Sequence, residues 1–494
     1  VQNQRPSSST KRGERLDRGA VAALGLYAAG VTAAHLLGWR MVVPYSMLHL
    51  LPADLLADRL GESLLHLHSQ PPLLNLLLGL VLKVEKATSI PPEASLLALH
   101  LLLGGAVVIL LHRLTHHLGL GPWARWTVLG LVLVDPAFHY YLLGFFYPLH
   151  ETFFLMVMAV LVYRFLAGST RSRIVTYTGL CLAAAALVYT RSLFHPLWAL
   201  AVLLAVAVAG ARLRGVRWRP LAAAWAVTAL ILFAWPLKNH LLFGSFSYSS
   251  WQGYNLSQGF PIHRGSLHPM FVFGDSPEQR RLRRNALERV PDRFRGVPAL
   301  TRPDKGLGVP QWNHHAILED SRDQARRAFA AVRERPELVW RTAVRNYLRS
   351  YTISASRQPR TGELLDRAPG PLDTAWARLY ETVVWQFFGV NSRRGSISGF
   401  AVLFPLVLLL TAVQLRRRCR RCRRSRRDPA AGTVAFLLAS ILWVLAMVLL
   451  VDGDEANRMR LSTQPFIFLC AAWSLDRGGR KSRGFGDGSA GLSF

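Results

Sequence analysis

The most constraining feature of this chain is a recurring apolar run of about 18–22 residues with almost no charge inside it. As a helix rising 1.5 Å per residue, such a run crosses the roughly 30 Å hydrocarbon core of a bilayer. Runs of this kind fall at 19–39, 93–111, 123–141, 151–166, 174–190, 195–211, 220–237, 396–415, 432–451 and 461–475. A soluble enzyme and a single-span receptor are thereby excluded. Mean hydropathy is only +0.22, so large hydrophilic segments must alternate with the spans. The expected fold class is an all-α polytopic membrane protein with about ten transmembrane helices, interfacial helices in the first outer loop and a small extracytoplasmic cap.

Orientation follows from the arginines. Fifty-nine Lys and Arg against 29 Asp and Glu leave a net charge of +30, which in a soluble chain would suggest nucleic acid. Here much of the excess sits in short loops between spans, where it sets topology by the positive-inside rule, and no nucleic-acid partner is expected. The apolar segment 72–82 ends at Lys83, Glu85 and Lys86 and is too short to cross, so it reads as interfacial or re-entrant. With that segment outside the count, Arg113, Arg125, Arg171, Arg173, Arg212 to Arg219 and Arg416 to Arg421 share one side with both termini. The expected location is the inner cell membrane, with the termini cytoplasmic and the active face outside. The chain then divides into a disordered basic tail (1–18), a seven-span core (19–237), an extracytoplasmic cap region (238–395), a three-span region (396–476) and a flexible tail (477–494).

Four cysteines add little. Cys181 and Cys470 lie in apolar runs, and Cys419 with Cys422 forms a single C-x-x-C without the second pair that a zinc site needs.

The unusual polar residues gather on the outer side. Asp54, Asp58 and Glu62 recur every fourth residue, which on one helix stacks three carboxylates along one face and leucines along the other. A carboxylate held at the bilayer surface is where a general base meets a lipid-borne substrate. Glu151 opens an apolar span, and an ionisable group there is a functional candidate. Arg191, in the outward turn of YTRSLFHP, departs from the positive-inside trend and suggests an anionic partner. After span seven, WPLKNHLLFGSFSYSSWQGYNLSQG carries Lys238, Asn239, Tyr254 and Asn255, with Pro236 expected to end the helix. Aromatics interleaved with amides and hydroxyls suit sugar recognition. The last outer loop, DGDEANRMR, brings Glu455, Arg458 and Arg460, two arginines able to grip a phosphate. The stretch 263–365 reads as amphipathic helices with no assignable motif. No P-loop or Rossmann fingerprint occurs.

Taken together, these pieces resemble the membrane glycosyltransferases of the C superfamily, in the branch of protein O-mannosyltransferases and the aminoarabinose transferase. The matching segments are the acidic first loop followed by HSQPPLLNLLLGL, the DP pair with Glu151 downstream, WPLKNHLLFGSFSYSSWQGYNL, and the E-x-x-R-x-R before a proline-containing span. Such enzymes take a sugar from a polyprenyl-phosphate carrier outside the membrane. The resemblance implies Asp54, or else Asp58, as the base that deprotonates an acceptor hydroxyl, with Glu151 in support. It assigns the leaving phosphate to Arg191, Lys238, Arg458 and Arg460, and substrate contacts to His68, Gln70, Asn239, Tyr254, Asn255 and Glu455. The implied partners are membrane lipids, the lipid-linked sugar donor and a protein, lipid or glycan acceptor. A divalent metal is compatible with Asp54 and Glu151 but not required, and the transfer would invert the anomeric centre. The first-loop acids here are four apart, whereas many relatives have adjacent acids, which leaves the choice of base open. A transporter or flippase of lipid-linked intermediates and a non-catalytic scaffold remain the competing readings.

Overall fold

The computed structural model describes residues 18–168, 170–260, 290–306, 309, 311–352, 371–385, 390–392, 395–397, 399–421, 428–451 and 456–476. The chain begins with α1 (Arg18–Leu36) and three helices in the first loop, α2 (Ala53–Asp58), α3 (Leu60–Leu65) and α4 (Leu73–Thr88). There follow α5 (Pro92–His117), α6 (Pro122–Leu133), α7 (Pro136–Leu143), α8 (Tyr147–Ala167), α9 (Thr170–Thr190), α10 (Pro196–Arg214) and α11 (Trp218–Phe243). The cap region holds α12 (Gln252–Gly259), α13 (Pro298–Thr301), α14 (His315–Glu334), α15 (Glu337–Thr352) and α16 (Pro371–Tyr380). Three helices close the chain: α17 (Gly399–Arg421), α18 (Pro429–Val451) and α19 (Ala456–Leu475). Strand pairing includes the antiparallel pair β1 (Val390–Ser392) and β2 (Gly395–Ile397) and a bridge between Val42 and Gly144.

The protein is an all-α polytopic membrane protein. Each apolar run of the sequence falls largely on helix, 123–141 on two of them, but the runs are not equal. Among the described residues six helices, α1, α5, α8, α9, α11 and α18, are long and apolar enough to cross a bilayer. A seventh span exists if α6 and α7 count as one, bent by 52°. The apolar parts of α10 and α19 are shorter, and α17 ends in five arginines within its last six residues.

Local chemistry explains where the helices depart from the sequence reading. The run 123–141 breaks because Pro136 takes the first position of a new helix and Asp135 caps it, accepting from the Ala137 amide at 2.8 Å. The segment expected to stop at Leu82 continues as α4 to Thr88, through Lys83, Glu85 and Lys86. Pro236 does not end α11 either; the helix continues to Phe243. Proline removes one helical N–H and so frees the carbonyl four residues earlier. That carbonyl, on Leu232, accepts the hydroxyl of Tyr248 instead. The same device recurs at Pro405 of α17, where the Ala401 carbonyl accepts the Tyr347 hydroxyl.

Helix α8 is the spine, packed by α5, α9, α18 and α19 around a core that includes Leu155, Met158, Phe165, Leu187, Leu203, Leu437 and Phe466. The two ends of the bundle differ. At one end the Gly121 amide donates to Asp476 at 2.6 Å, Arg418 pairs with Asp428 at 3.2 Å, and the Arg418 guanidinium lies over the Trp473 ring. The basic loops therefore share that end. The first loop, α7, the start of α8, the ends of α9 and α11 and the cap share the other.

Candidate active site

Glu151 lies in the second turn of α8 and Arg191 directly follows α9. Their side chains form a buried ion pair at 3.6 Å, and the guanidinium sits 5.5 Å from the centre of the Tyr147 ring. Withdrawing either charge from water costs several kcal/mol, roughly, unless an opposite charge is close, so each residue accounts for the other's presence. The Tyr147 ring also meets the buried His49 ring at 5.1 Å, and His49 in turn lies 4.7 Å from the Trp251 ring.

Lys238 extends from the last turns of α11 towards the first loop. Its ammonium donates to the Leu67 carbonyl at 2.5 Å and lies 3.6 Å from the centre of the Trp235 ring. The next residue, His68, is buried. Its Nδ1 meets the Ser250 hydroxyl at 2.8 Å, and the Ser250 amide donates back to the His68 carbonyl at 2.9 Å. Burial, together with the charges of His315, Lys238 and His314, pushes the His68 pKa well below its usual value. His68 is therefore neutral at physiological pH. Gln70 is buried beside it in the chain, and the buried Asn239 donates to the Ser247 carbonyl at 2.7 Å. Because Ser250 adjoins Trp251, the Glu151–Arg191 pair and the His68–Lys238 pair belong to one continuous polar neighbourhood.

The cap region packs onto this neighbourhood through residues for which the sequence offered no motif. Asn313 ties four backbone groups together. Its Oδ1 accepts from the amides of His68 at 2.8 Å and Ser69 at 3.0 Å, and its Nδ2 donates to the carbonyls of His66 and Ala299. Helices α12 and α14 cross at Gly253, where a Cβ would stand 1.7 Å from the Ser321 carbonyl oxygen. The Ser257 hydroxyl donates to Gln324 at 2.6 Å across the same crossing. Tyr254, expected to touch substrate, donates to Asp320 at 2.6 Å. Burial raises the Asp320 pKa. The one signal available in the sequence was the dense polar string Gln311, Trp312, Asn313, His314, His315, which is unusual ahead of an amphipathic helix.

The first-loop acids do not form the expected stripe. The backbone breaks at Arg59, separating α2 from α3, and each carboxylate takes its own cation. Asp54 pairs with Arg302 of the cap at 2.5 Å, Asp58 with Lys86 of α4, and Glu62 with Arg59 at 2.7 Å. Asp54 and Glu151 thus belong to different clusters. Asp58 and its lysine are both more than half exposed, and the Asp54 side chain, at 53%, is nearly as open. Asn255 is partly buried on α12. Arg458 and Arg460 start α19, while the positions of their side chains and of Glu455 lie outside the described residues. Among the described residues no three His, Cys, Asp or Glu side chains are grouped to hold a metal ion.

Two solved structures resemble this one weakly. An archaeal oligosaccharyltransferase, AglB from Archaeoglobus fulgidus, in complex with an inhibitory peptide and a dolichol-phosphate, is 14% identical at a TM-score of 0.37. The match covers 91% of this chain and 50% of that one, so the chain spans half of AglB's length. ArnT from Cupriavidus metallidurans, bound to undecaprenyl phosphate, is 13% identical at a TM-score of 0.35, covering 93% of this chain and 77% of that one. No protein-family model and no curated protein matches the sequence.

Proposed function

We propose that this protein is an integral membrane glycosyltransferase. It moves a sugar from a polyprenyl-phosphate carrier to an acceptor hydroxyl, with inversion, on the capped face of the bundle. The observation that carries the reading is the placement of two cations, Arg191 and Lys238, at one end of an apolar helix bundle beneath a polar roof.

In the proposed reaction the acceptor oxygen attacks the anomeric carbon while the bond from that carbon to the phosphate oxygen breaks. Negative charge then grows on the leaving phosphate, where fixed cations in a water-poor site stabilise it far more than water would. Lys238 uses one N–H on a backbone carbonyl and has others to offer, since an ammonium carries three. Glu151 is assigned a positioning role, holding the Arg191 guanidinium at the end of α8. The acceptor proton passes to a carboxylate, for which Asp54 is the first candidate because it lines an open cleft beside the roof. The lipid tail would run along the apolar helices, so that donor and acceptor approach from different sides.

The test is transfer from a radiolabelled polyprenyl-phosphate sugar in vesicles containing the purified protein. Arg191→Met and Lys238→Met are each expected to lower turnover at least a hundredfold, and Asp54→Asn to lower it similarly without weakening donor binding. Wild-type transfer in all three variants would overturn the assignment.

A further inference from the structure

A cleft of about 540 Å³ opens between the first loop and the cap, lined by Tyr45, Pro52, Asp54, Arg302, Asp304 and Lys305 among others. Its volume falls within the range of roughly 300–1,000 Å³ typical of small-ligand sites. The charges in it are not equally satisfied. Asp54 is bound by Arg302 at 2.5 Å, and Asp304 accepts from the Gly306 amide at 2.7 Å. Lys305 differs. It is almost fully buried, and its ammonium reaches only backbone carbonyls, those of Met47 and, at 3.5 Å, Tyr45. None of the ion pairs among the described residues includes it. Burial without a carboxylate pushes its pKa down to about 7, so near neutrality it lacks the partner that would hold its proton.

The inner wall of the cleft leads towards the charges already described. Met47 precedes by two residues His49, whose ring meets Tyr147, and Tyr147 faces Arg191. A ligand seated at Lys305 and Asp54 would thus be linked to the Glu151–Arg191 cluster through the chain from Met47 to His49, while itself occupying a separate cleft.

We propose that this cleft is the acceptor subsite and that it takes a hydroxyl-bearing anion, a sugar acid or sugar phosphate. The negative group would sit on Lys305 and a hydroxyl would face Asp54. The proposal rests on the transfer reading for the word acceptor, but the binding itself requires no donor.

The experiment is calorimetry on the full chain in lipid nanodiscs, with glucuronate, glucose 6-phosphate, glucose and inorganic phosphate as probes. Both sugar anions are expected to bind at least tenfold more tightly than glucose. At pH 8, binding should take up close to one proton, read from the dependence of the heat on buffer, as the anion restores the ammonium. Lys305→Met should abolish the preference for anions. Lys305→Arg should keep the preference and lose the proton uptake, a combination that misfolding would not produce. Glucose binding as tightly as the anions, absence of binding by all four probes, or an undiminished preference in Lys305→Met would overturn the site. Inorganic phosphate matching the sugar anions would remove the role of Asp54 and overturn the proposal as stated. Absent anion binding alongside normal sugar transfer sinks this proposal alone; anion binding without transfer sinks the transfer reading instead.

Discussion

Proline at bilayer depth leaves a carbonyl without its helical donor, and no water is there to replace it. In this protein tyrosine hydroxyls supply the missing donor at Pro236 and Pro405. Tyr248→Phe keeps the ring and removes only the hydroxyl, so it should cost about 1–3 kcal/mol, the desolvation of one orphaned polar group. Thermal unfolding in detergent micelles measures that loss. The Glu151–Arg191 pair is the costlier dependence. Arg191→Met would strand a buried carboxylate and should destabilise by about 3–5 kcal/mol, whereas Glu151→Gln with Arg191→Met together should recover part of it. At this scale the sequence was informative about which residues matter, because a charge in apolar surroundings is conspicuous. It was silent about their partners. Asp54, Asp58 and Glu62 look like one stripe in the sequence, yet each ends on a different cation contributed by a different segment.

Between elements, the decisive contact is the crossing of α12 and α14. At Gly253 the two backbones are too close for any side chain. Gly253→Ala should splay the helices and expose the cap, seen as faster proteolysis within 290–306, while Gly296→Ala, which meets nothing, should leave it unchanged. Acid should loosen the same contact. His314 and His315 have pKa values pushed down to about 4 by burial and neighbouring positive charge, and His68 lies well below its ordinary value. Between pH 6.5 and 4 the unfolded chain binds protons that the folded one refuses, so stability is lost as pH falls through that window. His314 adds a local reason. Its Nδ1 accepts from the Ala316 amide and caps α14, and a protonated ring cannot accept. Hydrogen exchange of α14 should therefore accelerate on acidification from pH 6.5 to 4, and His314→Asn, which keeps the cap acceptor without titrating, should blunt the change. None of this was legible from periodicity. Amphipathic spacing announces that α14 and α15 have an apolar face, but not what that face covers.

For the whole molecule, the arrangement is polar in the directional sense, with basic loops at one end of the bundle and the candidate site with its roof at the other. That separation predicts a labelling asymmetry. In a background otherwise free of cysteine, a membrane-impermeant maleimide should reach Asp304→Cys on intact cells and the exposed native Cys419 only after permeabilisation. Equal access to both from one side would contradict the topology.

What the sequence by itself determined is the membrane-embedded, helical character and the division between basic loops and the loops that carry the candidate site residues. Both follow from sums over many residues, the free energy of placing apolar runs in hydrocarbon and arginines in water, and such sums need no knowledge of neighbours. What only the tertiary structure decided is which charge meets which: Arg191 with Glu151, Asp54 with Arg302, and Asn313 with the amides of His68 and Ser69. Those contacts act over a few ångströms between residues as many as 248 positions apart, and a linear pattern carries no record of a distance that only folding creates.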